Sequence, residues 1–96
     1  MDRNAFIENL KARLEELDNE FNQVQVKAEK AGEDIRHQWE KRKLELKEKR
    51  QQLAAQLEKL RSTADSHWEE ARGHADKAWE TAVAGLKDIK DSLFGR

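Results

Sequence analysis

EKAGEDIR, residues 29–36, decides how this chain folds, because it holds the only glycine of an otherwise continuous helical pattern over the first 61 residues. Apolar residues alternate steps of three and four from Ile7 to Ala31 and on to Ile35, which is a heptad pattern that crosses Gly32 in phase. A lone glycine inside a helix costs only about 1 kcal/mol. We therefore predict one long helix from about residue 4 to residue 61.

The next interruption is RSTADSHWEE, residues 61–70. Ser66, followed three residues later by Glu69, has the spacing of a capping box at the start of a helix. We predict a turn at residues 62–66, a second helix over about 67–94, and a single domain, residues 1–96, folded as an antiparallel helical hairpin or coiled coil. Two alternatives remain: a three-helix bundle that also breaks at Gly32, and one continuous helix.

Beyond Ile35 the heptad gives way to a step of eleven residues, close to three helical turns, which is typical of a straight or slightly right-handed helix. One row of this pattern is apolar throughout: Val24, Ile35, Leu46, Leu57, Trp68 and Trp79. We interpret Trp68 and Trp79 as large anchors in an alanine-rich apolar stripe. We prefer this interpretation to insertion of the tryptophans into a lipid surface. Seven carboxylates accompany the cations of residues 65–96, so this segment is not attracted to anionic lipid.

A hairpin with a short second helix leaves the apolar stripe of the first 31 residues uncovered, and such a stripe indicates an interface. We therefore expect a homo-oligomer, in the simplest case a two-fold antiparallel dimer, with another helical protein as a further possible partner. The residues predicted to form helix–helix interfaces are Ile7, Leu10, Leu14, Leu17, Phe21, Val24, Ile35, Trp39, Leu46, Leu53, Leu57, Trp68, Trp79 and Leu86.

Composition supports an all-α fold and a small core. Of 96 residues, 41% are charged and 36% apolar, and the mean hydropathy is −1.10. There is no Pro and no Cys, which excludes disulfides and thiolate chemistry. The formal charges of residues 1–32, 33–61 and 65–96 are −2, +3 and −2, so the outer segments should attract the middle one. In KRKLELKEKR, residues 41–50, glutamates alternate with the cations, which favours pairing on one helix over nucleic-acid binding.

Residues that could support chemistry are few. His67, Glu70 and His74 share one helical face, and Asp34 with His37 adds a weaker pair, but a structural metal site needs more ligands than these. We expect no metal, no cofactor and no catalytic residue, hence a protein that is not an enzyme. The opening MDRNAFIENL lacks the apolar core of a secretory signal, so we expect a cytoplasmic location.

The eleven-residue units WEEARGHADKA, residues 68–78, and WETAVAGLKDI, residues 79–89, carry a resemblance to known proteins. They resemble the amphipathic helical repeats of apolipoproteins and the helices of small bacterial coiled-coil proteins. The bacterial resemblance implies no established activity, while the apolar stripe itself indicates a self-associating structural or interaction protein. The apolipoprotein resemblance implies the alternative, a protein that coats a lipid surface or an inclusion, as phasins do.

Overall fold

The computed structural model describes residues 2–95 and has three helices: α1 (Arg3–Lys30), α2 (Glu33–Arg61) and α3 (Trp68–Phe94). A short 3₁₀ turn, Asp65–His67, precedes α3. Residues 2–95 contain no strand, so the predicted all-α class is confirmed. The helices form a bundle with dimensions of 51 × 20 × 17 Å.

Contacts between the helices define an up-down-up arrangement. Asp18 on α1 meets Arg50 on α2, and Arg42 on α2 meets Asp88 on α3, so both pairs of consecutive helices are antiparallel. The outer helices α1 and α3 are consequently parallel to each other. Of the predicted alternatives, the structure has the three-helix bundle.

Gly32 ends the helix that was expected to run from residue 4 to residue 61. It has φ 111° and ψ 169°, the only positive φ within residues 2–95, and its missing Cβ makes this conformation accessible. Helix α1 closes with a hydrogen bond from the Ala31 amide to the Ala28 carbonyl. The prediction of a continuous first helix is wrong, because it was based only on the local cost of a glycine in a helix and not on the burial of α1. Folding α1 back buries most of its apolar stripe within one chain, which a continuous helix does not do.

The core of each helix follows a heptad spacing. Leu10, Leu17 and Val24 are seven residues apart on α1, and Ala75, Ala82 and Ile89 are seven apart on α3. On α2 the corresponding row consists of Trp39, Leu46, Leu53 and Leu60. Trp39 is the largest fully buried side chain, with 0% of its surface exposed.

The predicted eleven-residue periodicity is therefore not a property of one continuous helix. All six residues of the apolar row belong to the core or pack against it. However, the row crosses both helix breaks, at Ala31–Gly32 and at residues 62–67. Within a single helix, an eleven-residue step is one heptad plus one further turn of four residues, which a heptad core also contains.

Ion pairs join the helices as the segment charges predict. The Arg50 guanidinium donates to both carboxylate oxygens of Asp18, at 2.9 Å each, and Arg42 donates to Asp88 at 2.8 Å. These hydrogen bonds raise the pKa of Arg50 and of Arg42 above the ordinary arginine value, against the opposing effect of partial burial. The basic middle helix is thus tied to an acidic residue on each outer helix.

The turn predicted at residues 62–66 is confirmed, although its capping is not. Helix α3 begins at Trp68, and neither His67, its N-cap, nor Ala64, the N-cap of the 3₁₀ turn, makes a side-chain cap hydrogen bond. The expected Ser66–Glu69 capping box does not form, because Ser66 lies inside the 3₁₀ turn and His67 is the N-cap of α3. Instead, the Thr63 hydroxyl donates to the Lys59 carbonyl at the end of α2.

Candidate functional site

The aromatic edge, where α1 meets α3, is the most distinctive surface of the bundle. We define it by four rings: Phe6 on α1 and Trp68, Trp79 and Phe94 on α3. Phe6 is buried, whereas the three rings of α3 are partly exposed and pack against the core. The edge runs along most of α3, so it is an extended strip rather than a pocket.

At one end of this edge, two rings and two arginines interlock. Phe6 meets Trp68 edge-on, with ring centroids 5.8 Å apart and planes at 88°. The Arg3 guanidinium lies 4.8 Å from the Trp68 centroid, and that of Arg72 lies 5.3 Å from the Phe6 centroid. Aromatic pairs of this geometry and cations over rings each contribute about 0.5–1.5 kcal/mol.

Arg3 also binds the connection between α2 and α3. Its guanidinium donates to the carbonyl oxygens of Leu60, at 3.0 Å, and Thr63, and to the carboxylate of Asp65 at 2.9 Å. The last carbonyls of a helix lack partners within it. Arg3 therefore caps the end of α2 from a distant part of the chain.

Further along the edge, each remaining ring has one cation. The Arg13 guanidinium lies 5.5 Å from the Trp79 ring centroid, and the Lys27 ammonium lies 4.4 Å from that of Phe94. Between them, Lys90 donates to Glu20 at 3.3 Å. Aromatic rings, cations over them and one ion pair thus join α1 to α3 over the length of the bundle.

A small cleft opens at this edge near Phe6. Its volume is about 150 Å³, and its lining includes Phe6 and Leu10 together with Arg13, Arg72 and Asp76. The rim therefore carries charges of both signs around an apolar floor.

The residues predicted as interfaces all lie between helices of the same chain. Nine of them are buried: Leu10, Leu14, Leu17, Val24, Trp39, Leu46, Leu53, Leu57 and Leu86. The other five are partly buried and pack against this core: Ile7, Phe21, Ile35, Trp68 and Trp79. The stripe expected to be open on the first helix is thus covered by α2 and α3 of its own chain.

Sequence reasoning left some core and edge residues out of that set. Phe6 and Ile89 are buried, although neither belongs to the heptad or eleven-residue rows that were followed. Both extend the local three-and-four spacing of their own helix, which could have revealed them. No sequence signal indicates Arg3, because its partners lie 57 to 62 residues away.

An open groove lies beside His67 and His74, at the end of the bundle that also holds Phe6 and Trp68. The groove has a volume of about 380 Å³, and its lining includes His67, Glu70, His74, Lys59 and Ser62. His74 Nε2 lies 3.8 Å from Glu70 Oε1, with both side chains largely exposed. Within residues 2–95, no group of three or more His, Asp or Glu side chains has the arrangement of a metal site.

Trp39 occupies the opposite half of the bundle and is buried in a different way. Its ring meets Phe21 at 5.0 Å between centroids, with planes at 61°. Its Nε1 is the one fully buried side-chain nitrogen or oxygen in residues 2–95 without a hydrogen-bond partner. The aromatic core therefore contains one unpaired N–H donor.

Comparison with known proteins adds no relative: no family model, curated protein or solved structure matches the chain. Among residues 2–95, no helix combines the length and apolar character needed to cross a membrane.

Proposed function

We propose that this chain is a non-enzymatic structural or interaction protein of the bacterial cytoplasm that acts by helix–helix association, in the first place with a second copy of itself. The observation that carries the proposal is the aromatic edge, where Trp68, Trp79 and Phe94 keep part of their surface accessible. Aromatic residues that are partly exposed in the single chain are enriched at protein interfaces. The three histidines, which are the side chains best suited to acid–base chemistry at neutral pH, are all exposed.

Charge around the edge favours a second copy as the partner. The cleft beside Phe6 brings Arg13 and Arg72 together with Asp76. A two-fold axis places like surfaces against each other, so a rim with both signs can pair with itself, whereas a rim of one sign repels its copy. Val83, one helical turn beyond Trp79, adds a further exposed apolar side chain.

The test is the molar mass of the intact protein, measured by light scattering over a wide range of concentrations. Val83→Glu should weaken association at least about tenfold, since a charge at an apolar interface costs more than about 1.4 kcal/mol. Leu44→Glu is the matched control: Leu44 is even more exposed, at 66%, but it lies on α2 away from the edge. A monomeric mass at every concentration, or equal effects of both substitutions, would rule out association through this edge.

A second candidate function is binding to an anionic lipid surface. It is favoured by the four cations that lie over the rings of the same edge: Arg3, Arg13, Lys27 and Arg72. Aromatic rings beside cations are typical of helices at membrane interfaces. Vesicles containing phosphatidylglycerol should then shift the emission of Trp68 and Trp79 to the blue, in variants that retain one tryptophan each. Unchanged emission would exclude this candidate and leave the protein–protein function.

A further inference from the structure

We infer that α1 can leave its own bundle by straightening at Ala31–Gly32 and occupy the α1 position of a second copy, so that two chains exchange their first helices. The inference goes beyond the proposed association through the aromatic edge, because it adds a second way in which two copies can combine. Each half of the exchanged dimer would be a bundle like that of the single chain, with α1 supplied by the partner.

The joint between α1 and α2 is short and lightly held. It consists of Ala31 and Gly32 alone, and Gly32 provides no side-chain cap for α2. Nothing lies within 4 Å of the position where a Cβ of Gly32 would be. A side chain at that position would meet no neighbour in the bent joint, and short connections of this kind promote helix exchange.

The sequence on both sides of the joint is compatible with one straight helix. Val24, Ala28, Ala31 and Ile35 keep the heptad spacing through the joint, so a straight helix retains its apolar face as far as Ile35. Lys30 and Asp34 would lie four residues apart on that helix, where opposite charges attract each other.

Exchange also keeps the contacts that hold α1 in place. The Asp18–Arg50 pair and the Glu20–Lys90 pair would form between chains instead of within one chain. The same applies to Phe6 and Trp68 at the aromatic edge. The exchanged dimer therefore preserves the monomer's packing and gains backbone hydrogen bonds across the joint, while higher protein concentration favours its formation by mass action.

Gly32→Ala tests this inference directly. Alanine rarely adopts the backbone angles of Gly32 and favours a helix over a bend. The substitution should shift the equilibrium toward the straight joint by roughly thirtyfold or more. Gly73→Ala is the matched control, because Gly73 lies inside α3 with no atom within 4 Å of an added Cβ.

Cross-linking distinguishes exchange from any other kind of dimer. The chain has no cysteine, so Glu20→Cys with Lys90→Cys creates a single reactive pair at a contact between α1 and α3. A short bis-maleimide should join the two positions within one chain in the Gly73→Ala protein. In the Gly32→Ala protein it should join two chains, giving a covalent dimer on a denaturing gel.

The expected result is a Gly32→Ala protein whose cross-links connect two chains, and whose cross-links again lie within one chain when Gly-Ser-Gly-Ser is inserted after Ala31. A Gly32→Ala protein whose cross-links lie only within single chains, whatever its mass, would overturn the inference. The proposed function is judged separately by the wild-type mass: a monomeric wild type refutes that function even if Gly32→Ala exchanges its helices.

Discussion

The Arg3 guanidinium lies 4.8 Å from the centre of the Trp68 ring and at the same time donates to the Leu60 carbonyl at 3.0 Å. One side chain at the start of α1 thus contacts the end of α2 and the start of α3. This arrangement fixes the path of the connection between α2 and α3, whose 3₁₀ turn and following helix begin without side-chain caps.

Arg3→Ala should lower the free energy of unfolding by about 1–3 kcal/mol, because carbonyl groups that accept from a charged donor lose their partner. Urea denaturation followed by circular dichroism measures this change. Arg36→Ala is the control, since Arg36 pairs only with the exposed Glu33 on its own helix. If both substitutions had the same small effect, Arg3 would not stabilise the connection.

Trp39 should tolerate replacement by phenylalanine much better than replacement by alanine. Trp39→Ala leaves a large cavity and should cost about 3–5 kcal/mol. Trp39→Phe keeps much of the apolar ring and removes the unpaired Nε1 donor, whose burial costs about 1–3 kcal/mol. Urea unfolding of both variants tests this difference. Since neither variant carries the Nε1 donor, equal losses of stability would contradict the expectation that phenylalanine fills much of the space left by the indole.

Leu14→Asp should destabilise the bundle of a single chain, because Leu14 is only 8% exposed and a buried charge costs several kcal/mol. We expect α1 to detach while residues 46–93 stay partly helical, which circular dichroism and hydrogen exchange can follow. Ala12→Asp places the same side chain at an exposed position of α1 and should change stability by less than about 1 kcal/mol. Wild-type stability of the Leu14 variant would contradict the position of Leu14 in the core.

The Asp18–Arg50 pair should show a small coupling energy that depends on salt. Both side chains are more than a third exposed, at 44% and 39%, so solvent screening limits the coupling to about 0.2–1 kcal/mol. A double-mutant cycle with Asp18→Asn and Arg50→Gln, repeated in low and high salt, measures it. A coupling that persists unchanged in high salt would mean that packing, and not charge, joins these residues.

The local spacing of apolar residues was sufficient to predict the all-α class, the turn at residues 62–66 and most of the core. Leu10, Leu17 and Leu46 were predicted at helix–helix contacts because a helix face can be recognised within one segment of sequence. The break at Gly32 could not be predicted in this way. The heptad is in phase for both the bent and the straight chain, so the decision depends on tertiary burial of α1.

The aromatic edge was predicted only in part, for a similar reason. Trp68 and Trp79 were recognised as anchors that pack on other helices, but the cations above them belong to α1. Arg13 lies 66 positions before Trp79 in the chain, and only the parallel placement of α1 and α3 brings the two together. Such a pairing depends on the number of helices, which the sequence pattern left open.

An odd number of helices has a mechanical consequence. Lys27 reaches Phe94 at one end of the bundle while Arg3 reaches Asp65 at the other, so Asp2 and Gly95 lie at opposite ends of a body 51 Å long. Tension applied between these two residues would pull the helices past one another lengthwise instead of peeling them apart one by one. Sliding of this kind strains many side-chain contacts at once, so the bundle should resist stretching between its two ends.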